Sequence, residues 1–100
     1  MYGTVARLKV KPGMEQKVQE LNDRWWQERA PKIKGAISNT VYRLDSGNNE
    51  YILAAVFDSK ENYRANADDP EQNEWFQEMA ACLDGEPMWA DGEIIAHNQK

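Results

Sequence analysis

The side chains with the clearest chemical character in this sequence are aromatic. The chain of 100 residues contains four tryptophans, four tyrosines and two phenylalanines. Aromatic side chains can line a pocket for a flat organic molecule, because ring faces supply large apolar contact areas. The alternative is that these side chains pack in the hydrophobic core. The residues that we predict to bind a substrate in this way are Trp26, Trp75, Phe76 and Trp89.

The positions of these residues favour different roles. Trp75 and Phe76 each begin an apolar row of a predicted helix, which favours the core, but they also lie near the helix N-terminus, where a pocket mouth would open. Trp26 lies one helical step of about 100° away from an apolar stripe that includes Trp25. It is therefore a rim residue, an interface residue or a pocket wall. Trp89, on the last predicted strand, is compatible with either role.

Other reactive side chains are few. The only histidine, His97, lies in the C-terminal tail, where we expect a mobile residue rather than a general base. The only cysteine, Cys82, falls on an apolar helix row, which favours an inert core thiol over a nucleophile. Helix capping explains Asp69 and solvation explains Asp68, so this pair does not indicate acid–base catalysis. We predict no metal and no cofactor, because the sequence has neither a metal-ligand set nor a glycine-rich phosphate loop.

Composition and charge argue against several classes of function. The formal net charge is −5 and lysine and arginine do not cluster, which argues against binding to nucleic acid or to an anionic membrane. No apolar run approaches the roughly 18–20 residues that cross a bilayer. A strand that begins at Tyr2 leaves no room for a signal peptide, and one cysteine forms no internal disulfide. We therefore expect one cytoplasmic domain over residues 1–100.

The hydrophobic pattern predicts four strands and two helical segments. Strands are predicted at residues 2–10, 36–44, 50–57 and 88–96; alternation is clear in the first and loose in the second. Asp91-Gly92 is expected to interrupt the last one as a bulge or bend. A helix follows the first strand and ends near Ala30. Ser59 caps a short helix, and a longer helix begins at Asp69 and ends at Gly85. The order β-α-β-β-α-β predicts an α+β, ferredoxin-like fold, with helices on one face of a four-stranded antiparallel sheet.

The third predicted strand indicates self-association. Its residues alternate between two faces, and both faces are apolar: Tyr51, Leu53, Ala55 and Phe57 form one, and Ile52, Ala54 and Val56 form the other. Helices cover only one side of this sheet, and a bare second side would expose a larger apolar patch than soluble monomers usually tolerate. We expect a homodimer, packed sheet to sheet about a two-fold axis. The alternative is that the strand is simply central and its small alanines bury little.

Several short motifs together resemble a known family. They are Lys11-Pro12-Gly13 after the first strand, the Ser-Lys-Glu-Asn-Tyr run at 59–63, Asp69-Pro70 followed by Trp75-Phe76, and the closing Glu86-Pro87 with Trp89 and Asp91-Gly92-Glu93. Over essentially the whole chain they resemble the antibiotic biosynthesis monooxygenase-like family of the dimeric α+β barrel superfamily. The resemblance implies a homodimer whose two sheets pair into a barrel, with a pocket in each subunit between sheet and helices.

The resemblance also bears on cofactors. Some members of that family oxidise polycyclic phenols or quinols with dioxygen and no cofactor, whereas others cleave haem. The haem-cleaving branch has an asparagine on the first strand, where this chain has Thr4 and Ala6. Its tryptophan aligns near Asn66, and its histidine near Trp75 or Phe76. Without a clear axial ligand, we expect no haem chemistry.

Oxidation without a cofactor requires groups that deprotonate a phenol or quinol and stabilise the anion inside an apolar cavity. The catalytic candidates are Arg43, Asn66 and Tyr51, and Asn39 and Tyr63 join the substrate-binding candidates. Arg43 is alternatively a solvated charge on an edge strand, and Asn66 alternatively ends its helix. The sequence therefore predicts a protein that binds or oxidises a flat hydrophobic or aromatic small molecule. The alternatives are a non-catalytic ligand-binding or stress-related homodimer and an isomerase or lyase on the same scaffold.

Overall fold

Four strands and three α-helices follow one another in a computed structural model that describes all 100 residues. They are β1 (Tyr2–Lys9), α1 (Glu15–Arg24), β2 (Ala36–Arg43), β3 (Glu50–Phe57), α2 (Lys60–Ala67), α3 (Pro70–Ala80) and β4 (Met88–Glu93). A π-helical turn (Trp25–Arg29) and a 3-10 turn (Ala30–Lys32) prolong α1. The prediction of a ferredoxin-like α+β fold is confirmed. None of these helices has the length and apolar character needed to cross a membrane.

The four strands form one antiparallel sheet in the order β2-β3-β1-β4. The predicted interruption at Asp91-Gly92 is wrong, because β4 pairs with β1 without a shift and Thr4 lies opposite Asp91. The irregularity lies in β2 instead, between Ala36 and Ser38. The last strand ends at Glu93 rather than residue 96, since its partner β1 begins at Tyr2, the residue opposite Glu93.

Local side-chain hydrogen bonds begin both C-terminal helices. The Ser59 hydroxyl accepts a hydrogen bond from the Asn62 N–H at 3.1 Å, and the Asp69 carboxylate accepts one from the Glu71 N–H at 2.9 Å. Each bond satisfies one of the free N–H groups at a helix start. Both predicted caps are therefore present.

The last helix is shorter than predicted. It ends at Ala80, and the chain then tightens into a turn in which Cys82 N–H donates to the Met79 carbonyl. Lys11 N–H donates to the Cys82 carbonyl, and Leu83 forms a β-bridge with Val10. These contacts hold the segment that follows Ala80 against the end of β1. The helix therefore ends before Gly85, because the chain pairs with β1 there.

The hydrophobic core occupies one end of the helical face of the sheet. It joins side chains from β1 and the residue after it, from α1 and β3, and from α3 and the segment after it: Ala6, Leu8, Val10, Val18, Leu21, Tyr51, Met79, Cys82 and Leu83. Toward the other end of the same face the floor consists of Thr4, Ala55 and Phe57. The opposite face of the sheet carries no helix, and there Val5 and Tyr42 are 46% and 56% exposed.

Candidate functional site

A pocket of about 430 Å³ opens between the helical face of the sheet and helices α1, α2 and α3. Aromatic side chains form much of its wall, so we call it the aromatic pocket. Small residues on the sheet and at the end of α2, such as Ala55 and Ala67, leave the space that these rings enclose. The aromatic lining residues are Trp25, Phe57, Tyr63, Trp75, Phe76 and Trp89.

The aromatic walls support one another through ring contacts. The rings of Phe57 and Tyr63 meet edge to face, with centroids 5.4 Å apart, and those of Phe76 and Trp89 are tilted at 6.0 Å. The Trp75 indole N–H donates to the Leu21 carbonyl of α1 at 2.9 Å, which uses its only donor. The walls are therefore held in place by packing and hydrogen bonding, as a binding site for a rigid flat ligand requires.

Six of the residues predicted from the sequence line this pocket together: Asn39, Tyr63, Asn66, Trp75, Phe76 and Trp89. Trp26 lies elsewhere. It stacks on Trp25, with ring centroids 5.9 Å apart, and borders a separate polar hollow of about 360 Å³. Asn22 and Asn39 form the wall between the two spaces, where the Asn39 amide donates to Asn22 at 2.9 Å. The substrate-binding roles of all these residues stay predictions.

Arg43 and Tyr51 lie outside the aromatic pocket. They face each other across β2 and β3 at the core end of the sheet, where Tyr51 is 4% exposed among core residues and Arg43 is exposed at the sheet edge. Strand alternation places both residues on the helical side, but it does not tell which end of the sheet holds the space. The catalytic roles of Arg43 and Tyr51 stay predictions, although neither residue lines the aromatic pocket.

A carboxylate that the sequence analysis did not select stands at the pocket rim. Asp91 Oδ1 accepts hydrogen bonds from the Thr4 hydroxyl at 2.6 Å and from the Tyr63 hydroxyl at 2.9 Å. Burial, together with the neighbouring Asp91 carboxylate, raises the pKa of Tyr63 to about 12, so Tyr63 stays a proton donor at neutral pH. Asp91 was not predicted as a site residue because the Asp91-Gly92 pair indicated a bulge or bend. In the structure the pairing of β4 with β1 is regular, and it turns the Asp91 side chain toward the helices.

A buried arginine behind the pocket wall was also missed. Arg29 is 9% exposed and donates through Nη2 to Asn66 Oδ1 at 3.0 Å and through Nε to Gln72 Oε1 at 3.2 Å. Nη2 also lies 3.6 Å from Asp69 Oδ2, and Nη1 lies 2.9 Å from Glu71 Oε2. The sequence does contain one indication that Arg29 is buried. Arg29 follows Trp25 by four residues and therefore continues the apolar stripe of α1.

The polar groups at the pocket complement one another chemically. Asp91 Oδ2 accepts no hydrogen bond from the protein, and the Asn66 amide nitrogen donates none to it. A carboxylate can take a proton from an acidic hydroxyl group, and an amide N–H can stabilise the oxyanion that remains. No three histidine, cysteine, aspartate or glutamate side chains lie close enough together to hold a metal ion.

Comparisons with known proteins identify the fold. No family model matches the sequence, and no curated protein matches it. A candidate antibiotic biosynthesis monooxygenase from Caulobacter crescentus is 15% identical, with a TM-score of 0.83, and the match covers 95% of this chain and 90% of that one. SnoaB, a cofactor-independent oxygenase from Streptomyces nogalater, is 14% identical, with a TM-score of 0.79, over 99% and 97% of the two chains.

A further match is a conserved protein from Methanosarcina mazei, which is 21% identical, with a TM-score of 0.79, over 91% of this chain and 89% of that one. Identities this low establish similarity of structure rather than of activity. The resemblance seen in the short motifs is thus confirmed at the level of the fold. The chain has the monooxygenase-like, ferredoxin-like fold of the solved structures that are described as antibiotic biosynthesis monooxygenases.

Proposed function

We propose that this protein binds a flat hydrophobic or aromatic small molecule of the phenol or quinol type in the aromatic pocket and oxidises it with dioxygen, without a metal or an organic cofactor. The observation that carries the proposal is the meeting of a carboxylate acceptor, Asp91, and an amide donor, Asn66, in the lining of one aromatic pocket. The similar fold of a cofactor-independent oxygenase supports it.

In the proposed reaction Asp91 takes the proton of the acidic substrate, and the Asn66 amide hydrogen-bonds to the developing oxyanion. The Thr4 and Tyr63 hydroxyls hold the Asp91 carboxylate in place by donating to Oδ1, which leaves Oδ2 to take the proton. The electron-rich anion then reduces dioxygen directly. With an anthrone, the ring methylene becomes a carbonyl, one oxygen atom enters the product and the other leaves as water, so the substrate supplies all four electrons.

Oxygen consumption tests this proposal most directly. Over a panel of quinols and anthrones, uptake with the protein should exceed the uncatalysed rate, and Asp91→Asn should reduce the excess by roughly 10²- to 10⁴-fold, as expected for loss of a general base. Asp45→Asn, the same change at the exposed β2–β3 turn, should have no effect. Uptake that is equal in Asp91→Asn and the unaltered protein would refute the assigned base.

The second candidate function is a non-catalytic ligand-binding or stress-related homodimer. It is favoured by the occupation of Asp91 Oδ1 by two hydroxyl donors, which is also how a purely structural carboxylate is satisfied. Quenching of tryptophan fluorescence by the same compounds separates the two functions. Quenching without oxygen uptake supports the ligand-binding function. The absence of both quenching and oxygen uptake would refute both functions.

We also propose that two copies pair through the uncovered face of the sheet, in the cytoplasm, where Cys82 would stay reduced. The central residues of this face are apolar, and Val5 lies opposite Ala54 between β1 and β3. Ala54→Arg should convert a dimer into a monomer, because burial of an unpaired charge at the centre of an interface is unfavourable. Ala65→Arg, at an exposed position of α2, should leave the mass in light scattering unchanged. An unaltered protein of monomeric mass at micromolar concentration would contradict the pairing.

A further inference from the structure

The orientation of two amide side chains at the aromatic pocket follows from the donors that face them. The Arg29 guanidinium and the Trp25 indole can only donate hydrogen bonds. Arg29 Nη2 and Nε face Asn66 and Gln72, and Trp25 Nε1 faces Gln72 at 2.7 Å. The atoms facing these donors must therefore be the amide oxygens. The NH₂ groups of both residues consequently point away from Arg29.

Those NH₂ groups belong to residues that line the aromatic pocket, whereas Arg29 does not line it. Asn66 is 8% exposed, and neither amide nitrogen donates a hydrogen bond to the protein. No buried side-chain nitrogen or oxygen lacks a partner, so these two nitrogens, which make no bond to the protein, are not fully enclosed. An amide whose oxygen accepts from a cation is polarised, which strengthens its N–H groups as donors.

We propose that Arg29 is a positioning residue that turns the NH₂ groups of Asn66 and Gln72 into the aromatic pocket, where both bind an anionic oxygen of the ligand. This inference rests on the proposed function and narrows its substrate class to compounds that form an oxyanion in the pocket, such as phenols and enolisable ketones. It also assigns Gln72 to the site. The Arg29 charge itself is balanced by Asp69 and Glu71 and stays behind the wall.

The test uses two flat dyes of nearly the same shape, 2-hydroxyanthraquinone as its phenolate and 2-methoxyanthraquinone as the neutral match. Their dissociation constants are measured by quenching of tryptophan fluorescence at a pH where the first dye is ionised. Asn66→Asp and Gln72→Glu keep the oxygen that Arg29 binds but replace NH₂ by a second oxygen. Each should weaken phenolate binding at least tenfold and change methoxy-dye binding less than twofold.

Asn73→Asp is the matched control for added charge, since Asn73 lines the same pocket but makes no bond to Arg29. It should weaken phenolate binding less than Asn66→Asp and Gln72→Glu do. An equal loss in all three variants would overturn the proposed donor role, because charge repulsion alone would then account for the result. Unchanged phenolate binding in Asn66→Asp and Gln72→Glu would overturn it as well.

Arg29→Lys tests the positioning role without a change in charge. A lysine is a point donor and does not hold two oxygens in one plane, so phenolate binding should weaken at least fivefold while methoxy-dye binding persists. Arg24→Lys, on the exposed side of the same helix, should bind both dyes normally. Full phenolate affinity in Arg29→Lys would overturn the positioning role. An unaltered protein that binds neither dye would overturn the proposed function and this inference together.

Discussion

Replacement of Arg29 by methionine should destabilise the protein far more than the same replacement of Arg24. Both arginines belong to the first helical segment, and both pair with carboxylates of α3. They differ in burial, because Arg29 is 9% exposed as a residue, whereas the Arg24 side chain is 41% exposed and its partner Glu78 is 54% exposed. Methionine keeps much of the aliphatic stem of arginine, so the comparison isolates the guanidinium.

The expected size of the effect follows from what Arg29 leaves behind. Asn66 Oδ1 loses the guanidinium donor and stays buried, while Gln72 Oε1 keeps its bond from Trp25. A hydrogen bond to a charged group contributes about 1.5–3 kcal/mol, and a buried acceptor without a partner costs about 1–3 kcal/mol. The bridge to Glu71, whose side chain is 67% exposed, adds little. We expect Arg29→Met to lower the free energy of unfolding by about 3 kcal/mol.

Urea denaturation followed by tryptophan fluorescence measures this difference. With m-values of about 1–3 kcal/mol/M, Arg29→Met should lower the midpoint by about 1 M or more at an unchanged slope. Arg24→Met should barely move it, and any difference should vanish at high salt, which screens exposed charges. If the two variants unfold at the same urea concentration, the buried arginine does not stabilise the junction of the helices.

Three further outcomes follow from single positions. Gly3→Ala should cost about 1–3 kcal/mol, since its Cβ would lie 2.6 Å from the Ala55 carbonyl oxygen, whereas Gly92→Ala, with open space around it, should be neutral in the same urea assay. Relative to Tyr63→Phe, the unaltered protein should keep its full stability below pH 10 and lose about 1 kcal/mol between about pH 10 and 12, because the unfolded phenol ionises at its ordinary pKa of 10.0 and the folded one near 12. The figure of about 1 kcal/mol allows for solvent screening of a half-exposed ring. Urea denaturation across this pH range measures the loss. Cys82, 2% exposed, should react with a thiol reagent only as fast as the protein opens, which absorbance of the released chromophore records.

The fold was predictable because local patterns specify it. Alternation along β1, the continuous apolar run of β3 and the caps at Ser59 and Asp69 indicate the type and order of these elements before any tertiary contact is considered. The boundaries that failed are those set by partners remote in the chain. α3 ends early because residues after it pair with β1, and the bend expected at Asp91-Gly92 is absent because β1 holds β4 straight.

The polar part of the site was less predictable, for a physical reason. Tyr63 and Asn66 are one helical turn apart, so their shared face can be read from the sequence. The partners that give them chemical meaning, Asp91 and Arg29, lie 28 and 37 residues away. Such pairings depend on the packing of α2 between β4 and the end of α1, which no local pattern contains. The only local signal for Arg29 was an arginine at a stripe position, where a charge requires a buried partner.

The division of the sheet into a core end and a pocket end explains why the site lies where it does. Leu8 and Tyr51 fill one end of the helical face, whereas the shorter side chains of Thr4 and Ala55 lie on the pocket floor at the other end. The space that results, about 430 Å³, is partly open to solvent and is walled by rings. Larger side chains on this floor would bury more apolar surface and would also occupy the volume where the ligand is proposed to bind. Packing alone favours larger side chains here, so the short residues support the ligand binding that we propose.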